Sequence, residues 1–193
     1  MKPSTLTTER LLLRPFQAGD EEAVFRIFSD RETNIFLPWF PLDAPEQAAG
    51  FMKERLFWPA GEDACFFAVC LKDSETPVGY VDLSGGEAHD FGYGLRSGLW
   101  HRGIISEAAA AVVGYLRAGG LPFITATHDV NNPRSGQVMK RLGMTYRYSY
   151  EEQWQPKDFP VIFRMYQLNL NGEYGTYRGY WNKYAKHFVE SDV

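Results

Sequence analysis

The sequence predicts one α+β domain, and the order of its segments is the first reason. Seven segments show strand-like alternation or short apolar runs, and four show helical spacing, in the order β-α-α-β-β-β-α-β-α-β-β. Three strand segments follow one another between residues 64 and 95, which is typical of an antiparallel meander. The length of 193 residues suits one domain with a full hydrophobic core.

The first half of the chain supplies one strand, two helices and the meander. Leu11 and Leu13 alternate with their neighbours as in a strand. Asp20 is a favoured N-cap for the first helix, and Pro45 lies in the first turn of the second. We expect strands at 9–15, 64–71, 77–84 and 88–95, and helices at 20–30 and 45–57.

The second half alternates helices and strands and ends in a tail. A helix that starts at 104 stops at Gly119-Gly120, and one that starts at Asn132 or Pro133 stops at Gly143. We expect helices at 104–117 and 132–142, and strands at 123–128, 146–153 and 161–168. Residues 171–193, rich in Tyr and charge, are expected to form an accessory helix or dimer contact outside a domain of residues 1–170.

A loop between strand 88–95 and helix 104–117 has the chemistry of an anion site. The first N–H groups of a helix lack partners and carry partial positive charge, and Arg102 adds a full charge beside them. This suits a phosphate or pyrophosphate. The loop lacks both Gly-Lys-Ser/Thr and Gly-x-Gly-x-x-Gly, so it supports neither a Walker site nor a dinucleotide site.

The same loop carries a family resemblance. From Trp100 to Ala108 it reads Trp-His-Arg-Gly-Ile-Ile-Ser-Glu-Ala, which resembles the acetyl-CoA loop of the GNAT superfamily of N-acetyltransferases in its RimJ/RimL-like branch. Residues 8–15, 77–81 and 132–144 resemble further family segments in the same order. The resemblance implies a mixed, mostly antiparallel sheet of seven strands, splayed centrally and flanked by about four helices, with acetyl-CoA in a V-shaped gap.

The resemblance also implies which residues hold acetyl-CoA. The loop's N–H groups would bind the pyrophosphate, and the strand before the loop would pair with the pantetheine arm. The residues so implied are Tyr93, Gly94, Leu95, His101, Arg102, Gly103, Ile104, Ile105, Ser106, Asn132 and Ser135. Ile105 stands where the family has a small residue, and Asn132 also suits a simple helix cap.

The catalytic groups are less determined by the family pattern. Many members carry a Tyr acid seven residues after the position of Asn132, but here that residue is Met139, which has no proton to donate. Ser135 or water is then expected to serve the leaving thiolate. Glu151 and Glu152 are expected beside the acceptor groove, with one pointing into it because strand side chains alternate. The base stays open among these two and Glu107, His101, His128 and Asp129.

An aromatic segment is expected to wall the acceptor site. By the same resemblance Phe36, Trp39 and Phe40 would contact the acceptor, which favours an apolar or peptide-like amine over a polycation. The expected reaction is acetyl transfer to a primary amine, first of all a protein or peptide N-terminus. A small amine or antibiotic, or a non-catalytic acyl-CoA-binding module, are the alternatives.

Composition narrows the remaining function classes. A net charge of −4 gives no reason to expect nucleic-acid binding, and the sequence has no apolar run of the ~18 residues that a membrane span needs. Cys65 and Cys70 would lie on opposite faces of one strand as buried thiols, which fits a reducing cytoplasm. We assign no metal ligands, and a monomer or a homodimer is equally compatible with the sequence.

Overall fold

Two β-sheets form the frame of the molecule. The computed structural model describes residues 4–57, 64–172 and 175–193. One sheet is antiparallel, in the order β1-β2-β3-β4-β5, and the other is antiparallel in the order β6-β8-β7-β9. The strands are β1 Leu6–Thr7, β2 Leu11–Arg14, β3 Cys65–Leu71, β4 Pro77–Leu83, β5 Phe91–Leu95, β6 Phe123–Asp129, β7 Thr145–Trp154, β8 Phe159–Asn169 and β9 His187–Phe188.

The sheets meet where β5 and β6 begin side by side. A parallel bridge pairs Asp90 with Thr125, and the Thr125 N–H donates to the His89 carbonyl at 3.1 Å. The Thr125 hydroxyl also donates to the Ala88 carbonyl at 2.8 Å. Beyond this point β5 and β6 belong to separate sheets, and a gap opens between them. The predicted α+β class and central splay are confirmed.

Helices cover both faces of the first sheet. The α-helices are α1 Glu21–Phe28, α2 Arg31–Asn34, α3 Gln47–Phe51, α4 Ile104–Ala118, α5 Pro133–Arg141 and α6 Gly179–Lys183; α3 continues as a π-helical segment, Met52–Leu56, and a 3-10 turn spans Ser97–Leu99. Ala108 and Val112 of α4 pack in one apolar cluster with Cys65. Val24 of α1 packs in a second with Cys70, so the two cysteines do lie on opposite faces.

Several short elements escape the sequence prediction. The described residues hold nine strands and six α-helices rather than seven strands and about four helices. Among the additional elements, β1 and β9 have 2 residues each and α2 has 4, too few to show a period. Asp20 precedes α1 but makes no capping hydrogen bond, because its carboxylate binds the Arg14 guanidinium and the Gln17 N–H.

The tail packs onto the second sheet of its own chain. Strand β9 pairs with β7, and Glu190 forms an ion pair with Arg164 of β8. Tyr180 and Tyr184 stack on Tyr150 of β7, with ring centroids 5.2 and 4.7 Å away. The tail therefore extends a sheet that also borders the gap. Nowhere in the described ranges is there a helix long and apolar enough to cross a membrane.

Candidate active site

The gap between the two sheets forms a cavity. It has a volume of about 980 Å³ and is lined by β4, β5, the loop before α4, the start of α5, β7 and α6. The loop that precedes α4 lines one part of the gap, and the segment from α2 to Trp39 and the tail line another. One part of the gap is therefore suited to an anion, and the part where the acceptor is expected, the acceptor end, is lined mainly by aromatic and acidic side chains.

The loop before α4 is shaped by two residues in the left-handed backbone conformation and by hydrogen bonds from Arg10. His101 has φ +62° and Gly103 has φ +74°, and α4 begins at the next residue. Glu107 accepts hydrogen bonds from Thr8 Oγ1 and, at 2.7 Å, from Arg10 Nε, while Arg10 Nη1 donates to the Arg102 carbonyl at 2.9 Å. Burial alone would raise the pKa of Glu107, but these hydrogen bonds outweigh it and lower that pKa. Glu107 is thus ionised, and it stabilises the loop through Arg10.

The residues expected to hold acetyl-CoA come together with one exception. Arg102 is exposed and does not line the cavity; the members that do are Tyr93, Gly94, Leu95, His101, Gly103, Ile104, Ile105, Ser106, Asn132 and Ser135. Ile105 lies in the first turn of α4, where the backbone is ordinary helix, so its β-branched side chain does not strain the loop. The first N–H groups of α4 receive no side-chain cap from the described residues, and the start of a helix is a favourable place for an anion.

A second cation stands beside the loop that the sequence prediction did not single out. Arg134, in the first turn of α5, lines the gap and lies over the Trp100 ring at 5.1 Å. Trp100 is fixed in turn, since its Nε1 donates to the Leu95 carbonyl at 2.9 Å. The signal was present in the Asn-Pro-Arg-Ser start of α5, but only the fold brings that guanidinium next to the loop.

The start of α5 is joined to β5 through a tyrosine. Asn132 caps the helix by accepting from the Ser135 N–H at 3.4 Å, and both side chains still line the gap. The Tyr93 hydroxyl lies 2.8 Å from the Ser135 carbonyl and 3.0 Å from Ser135 Oγ. Burial raises the pKa of Tyr93 well above its usual value despite the Ser135 bond, which suits a hydrogen-bond donor rather than a proton donor. Met139, 1% exposed, adds no polar group.

A carboxylate that the sequence did not single out lines the gap. Asp82 of β4 is opposite Gly92 of β5, and a Cβ on that glycine would collide with the Asp82 carboxylate. The glycine therefore makes room for the acid. Burial, and next the charge of Asp90, raise the pKa of Asp82 to about 7. The only signal in the sequence was one acidic residue inside an apolar strand.

Asp90 and Glu152 complete an acidic cluster with Asp82. Burial and the charge of Glu152 raise the pKa of Asp90 to about 6, although a hydrogen bond with Tyr180 lowers it in part. Glu152 lines the gap, whereas Glu151 pairs with Lys186 and does not. Strand alternation thus works as expected, and it removes Glu151 from the candidate catalytic groups.

Two of the remaining base candidates, His128 and Asp129, are held in structural contacts. His128 Nδ1 lies 2.8 Å from the Asp129 carbonyl, and burial lowers its pKa. Asp129 accepts from the N–H and side-chain amide of Asn131 at 2.8 and 3.0 Å, which shapes the turn before α5. His101 stays exposed in the loop.

Aromatic rings from two distant segments wall the acceptor end. Phe36 and Trp39 line the gap, but Phe40 is 60% exposed and does not. Tyr180 and Tyr184 of the tail also line it, and the sequence prediction did not include them. No recognisable motif marks these tyrosines.

Comparison with known proteins assigns the family. The chain matches the acetyltransferase (GNAT) domain over residues 10–145. It is 30% identical over 143 residues to the protein designated Uncharacterized N-acetyltransferase YnaD of Bacillus subtilis (strain 168), covering 72% of this chain and 81% of that one.

Two solved structures illustrate the fold. A GNAT-family acetyltransferase from Bacillus anthracis superposes with a TM-score of 0.75 at 23% identity, covering 86% of this chain and 99% of that one. RimL, a ribosomal L7/L12 alpha-N-protein acetyltransferase in complex with coenzyme A, superposes with a TM-score of 0.69 at 16% identity, covering 88% and 100%. The chain belongs to the GNAT family and is an N-acetyltransferase with acetyl-CoA as its cosubstrate.

Proposed function

We propose that this enzyme acetylates a primary amine that arrives protonated, with Asp82 as the base that removes the proton. The observation that carries the proposal is that Asp82 lines the gap opposite Gly92 and has a pKa raised to about 7. A general base works best when its pKa is near the operating pH. An unperturbed aspartate, with a pKa of ~3.9, would be a much weaker proton acceptor.

The cosubstrate would be held by residues already in place. The N–H groups at the start of α4 and the Arg134 guanidinium line the gap and would bind its phosphates, and Arg102, exposed outside the lining, would add positive potential. The edge of β5 from Tyr93 to Leu95 would pair with the extended pantetheine arm. The Tyr93–Ser135 pair would offer a hydrogen bond at the departing sulfur.

Asp82 is placed to serve an amine near that same edge. Gly92, which Asp82 faces, and Gly94 are two residues apart on one face of β5, a separation of about 7 Å. An amine that lies between Gly92 and Gly94 would reach the Asp82 carboxylate directly or through one water molecule. One proton passes from the ammonium to Asp82, and the neutral nitrogen then attacks the acetyl carbon. As the carbon–sulfur bond breaks, the nitrogen loses a second proton, which passes directly or through water to the departing sulfur and yields CoA as the thiol.

The leaving thiolate needs little help from an acid. A free thiol has a pKa near 8.5, so a thiolate is a tolerable leaving group near neutral pH. A hydrogen bond from Ser135 or Tyr93 would be sufficient to stabilise it. This explains how Met139 can stand where many family members carry a Tyr.

The acceptor end supports a cationic amine with an apolar neighbourhood. Asp90 and Glu152 supply negative potential that draws an ammonium inward, and Phe36 and Trp39 supply apolar contact. A protein or peptide N-terminus fits this description, and the likeness of the Trp100–Ala108 loop to the RimJ/RimL-like branch supports the same class. A small amine is the second candidate, because the tail adds a wall at this end of the gap.

The test is release of CoA with a panel of amines. The panel contains peptides with varied N-termini and small primary amines, and a thiol-reactive dye reports CoA. We expect turnover with at least one amine, and a loss of roughly 10²–10⁴-fold in kcat/KM for Asp82→Asn. Binding of acetyl-CoA without turnover for every amine would favour a non-catalytic acyl-CoA-binding module instead.

A further inference from the structure

A lysine joins the two walls of the acceptor end. Lys157, at the tip of the β7–β8 hairpin, donates from Nζ to the Asn34 carbonyl at 2.6 Å, to Asn34 Oδ1 at 3.1 Å and to the Ile35 carbonyl at 3.5 Å. These partners are more than 120 positions away along the chain. We propose that Lys157 is a specificity-determining residue that fixes the separation of these walls and thereby limits the width of the acceptor amine.

Each end of this bridge is directly connected to the lining of the gap. Asn34 closes α2, and Phe36 and Trp39 follow it within the acceptor wall. On the other side Trp154 lines the gap at the end of β7, three residues before Lys157. The ammonium also lies over the Trp154 ring at 5.6 Å. A movement of either wall would therefore break the bridge or carry the other wall with it.

Both ends are anchored behind the bridge. Thr33 Oγ1 donates to the Leu95 carbonyl at 3.0 Å, and the Ser97 N–H donates to Asp30 at 2.7 Å, so α2 is fixed to the end of β5. In the hairpin, the amides of Gln153 and Gln155 both donate to Asp158, at 3.0 and 2.8 Å. The hairpin tip is thus shaped independently of the lysine. The lysine supplies the link between two parts that are each held in position.

The bridge also supplies a hydrogen-bond donor to the buried side-chain oxygen of Asn34. Asn34 is 3% exposed, so its side-chain oxygen has little water to bind. A buried acceptor without a partner costs stability, and hydrogen bonds from a charged donor are the stronger kind. Lys157 gives up some solvation in return, and burial lowers its pKa. The contact is therefore a defined bridge and not a loose surface encounter.

The inference rests on the proposed function, and its test separates the two. Lys157→Met keeps the length of the side chain over Trp154 but removes all three hydrogen bonds. Lys186→Met is the matched control, because Lys186 pairs with Glu151 outside the gap. The substrates are n-hexylamine and cyclohexylamine, which have the same carbon count but different widths, added to the amine panel described above.

We expect Lys157→Met to shift the kcat/KM ratio toward cyclohexylamine by roughly tenfold, the low end of shape discrimination in an apolar pocket. Amide hydrogen exchange should become faster in residues 31–40 and 154–160. Lys186→Met should change neither the kcat/KM ratio nor the amide exchange rates. If the lysine were purely structural, its loss would lower kcat/KM for both amines in proportion and leave the ratio unchanged.

The outcomes are distinct. If CoA is released but the ratio and the exchange rates stay as in the unaltered enzyme, the bridge does not set acceptor width and this inference is wrong. If the unaltered enzyme releases CoA with no amine of the panel, the proposed function fails and the inference falls with it. Should Lys157→Met fold poorly, Lys157→Leu, which also lacks a donor group, gives the same comparison.

Discussion

Replacing Asp82 by asparagine should stabilise the protein and inactivate it at the same time. The fold raises the pKa of this carboxyl from 3.8 to about 7, chiefly because burial disfavours its charge. Well below pH 3.8, the group is protonated in both the folded and the unfolded chain and costs nothing. As the pH rises to 7, the unfolded chain gains a solvated charge that the folded chain resists, so stability falls until both forms are ionised.

The magnitude follows from the pKa difference. At ~1.4 kcal/mol for each pH unit, a rise of this size costs the folded protein about 4 kcal/mol at pH 8. Asparagine removes the charge but still buries a polar amide, so we expect about half of that amount as a gain. For a chain of this length about 2 kcal/mol corresponds to roughly 4–8 °C in Tm.

The assay is thermal unfolding at pH 5 and pH 8, combined with a pH profile of kcat/KM. The gain in Tm from Asp82→Asn should be larger at pH 8 than at pH 5. The pH profile of kcat/KM for this variant should lack the inflection near pH 7. Asp73→Asn, an exposed turn residue, controls for the change in net charge. A variant that melts no higher than the unaltered protein at pH 8, with the inflection intact, would show that neither the cost nor the proton transfer lies at Asp82.

Four further substitutions test the rest of the site. Glu152→Gln should raise the acceptor KM severalfold while Glu151→Gln, which breaks only the surface pair with Lys186, leaves it unchanged; equal effects would contradict the assigned orientation. Met139→Leu should preserve turnover because a thioether has no proton to give, and a loss of roughly a hundredfold in a folded variant would contradict this. Arg102→Glu should weaken acetyl-CoA binding about tenfold, or ~1.4 kcal/mol, and unchanged affinity by calorimetry would leave Arg134 as the phosphate contact.

The sequence was most informative where a pattern was long. Helix α4 and the meander strands lie close to their predicted positions, because many residues contribute to each period. The anion loop followed from elementary helix physics before any family was considered. Short elements such as α2 and α6 hold too few residues for a period, and their positions depend on distant partners, for example the Leu95 carbonyl that binds Thr33.

Side-chain direction was the hardest feature to predict. Alternation says that Glu151 and Glu152 face opposite ways, but it does not say which one enters the gap. The register between β7 and β8 shifts between Tyr146 and Tyr148, and a shift of one residue changes the face of everything beyond it. Asp82 was missed for a related reason, because its role depends on the absent side chain of Gly92 on the neighbouring strand.

Between the two sheets, the bridge of Asp90 with Thr125 marks the point where β5 and β6 separate. A molecule that fills the opening binds the folded chain and finds no such opening in the unfolded one. By mass action, acetyl-CoA at a hundred times its Kd would add about 2.7 kcal/mol to the free energy of unfolding. The folded fraction of this enzyme, and with it the fraction that escapes proteolysis, should therefore rise and fall with the supply of its own cosubstrate.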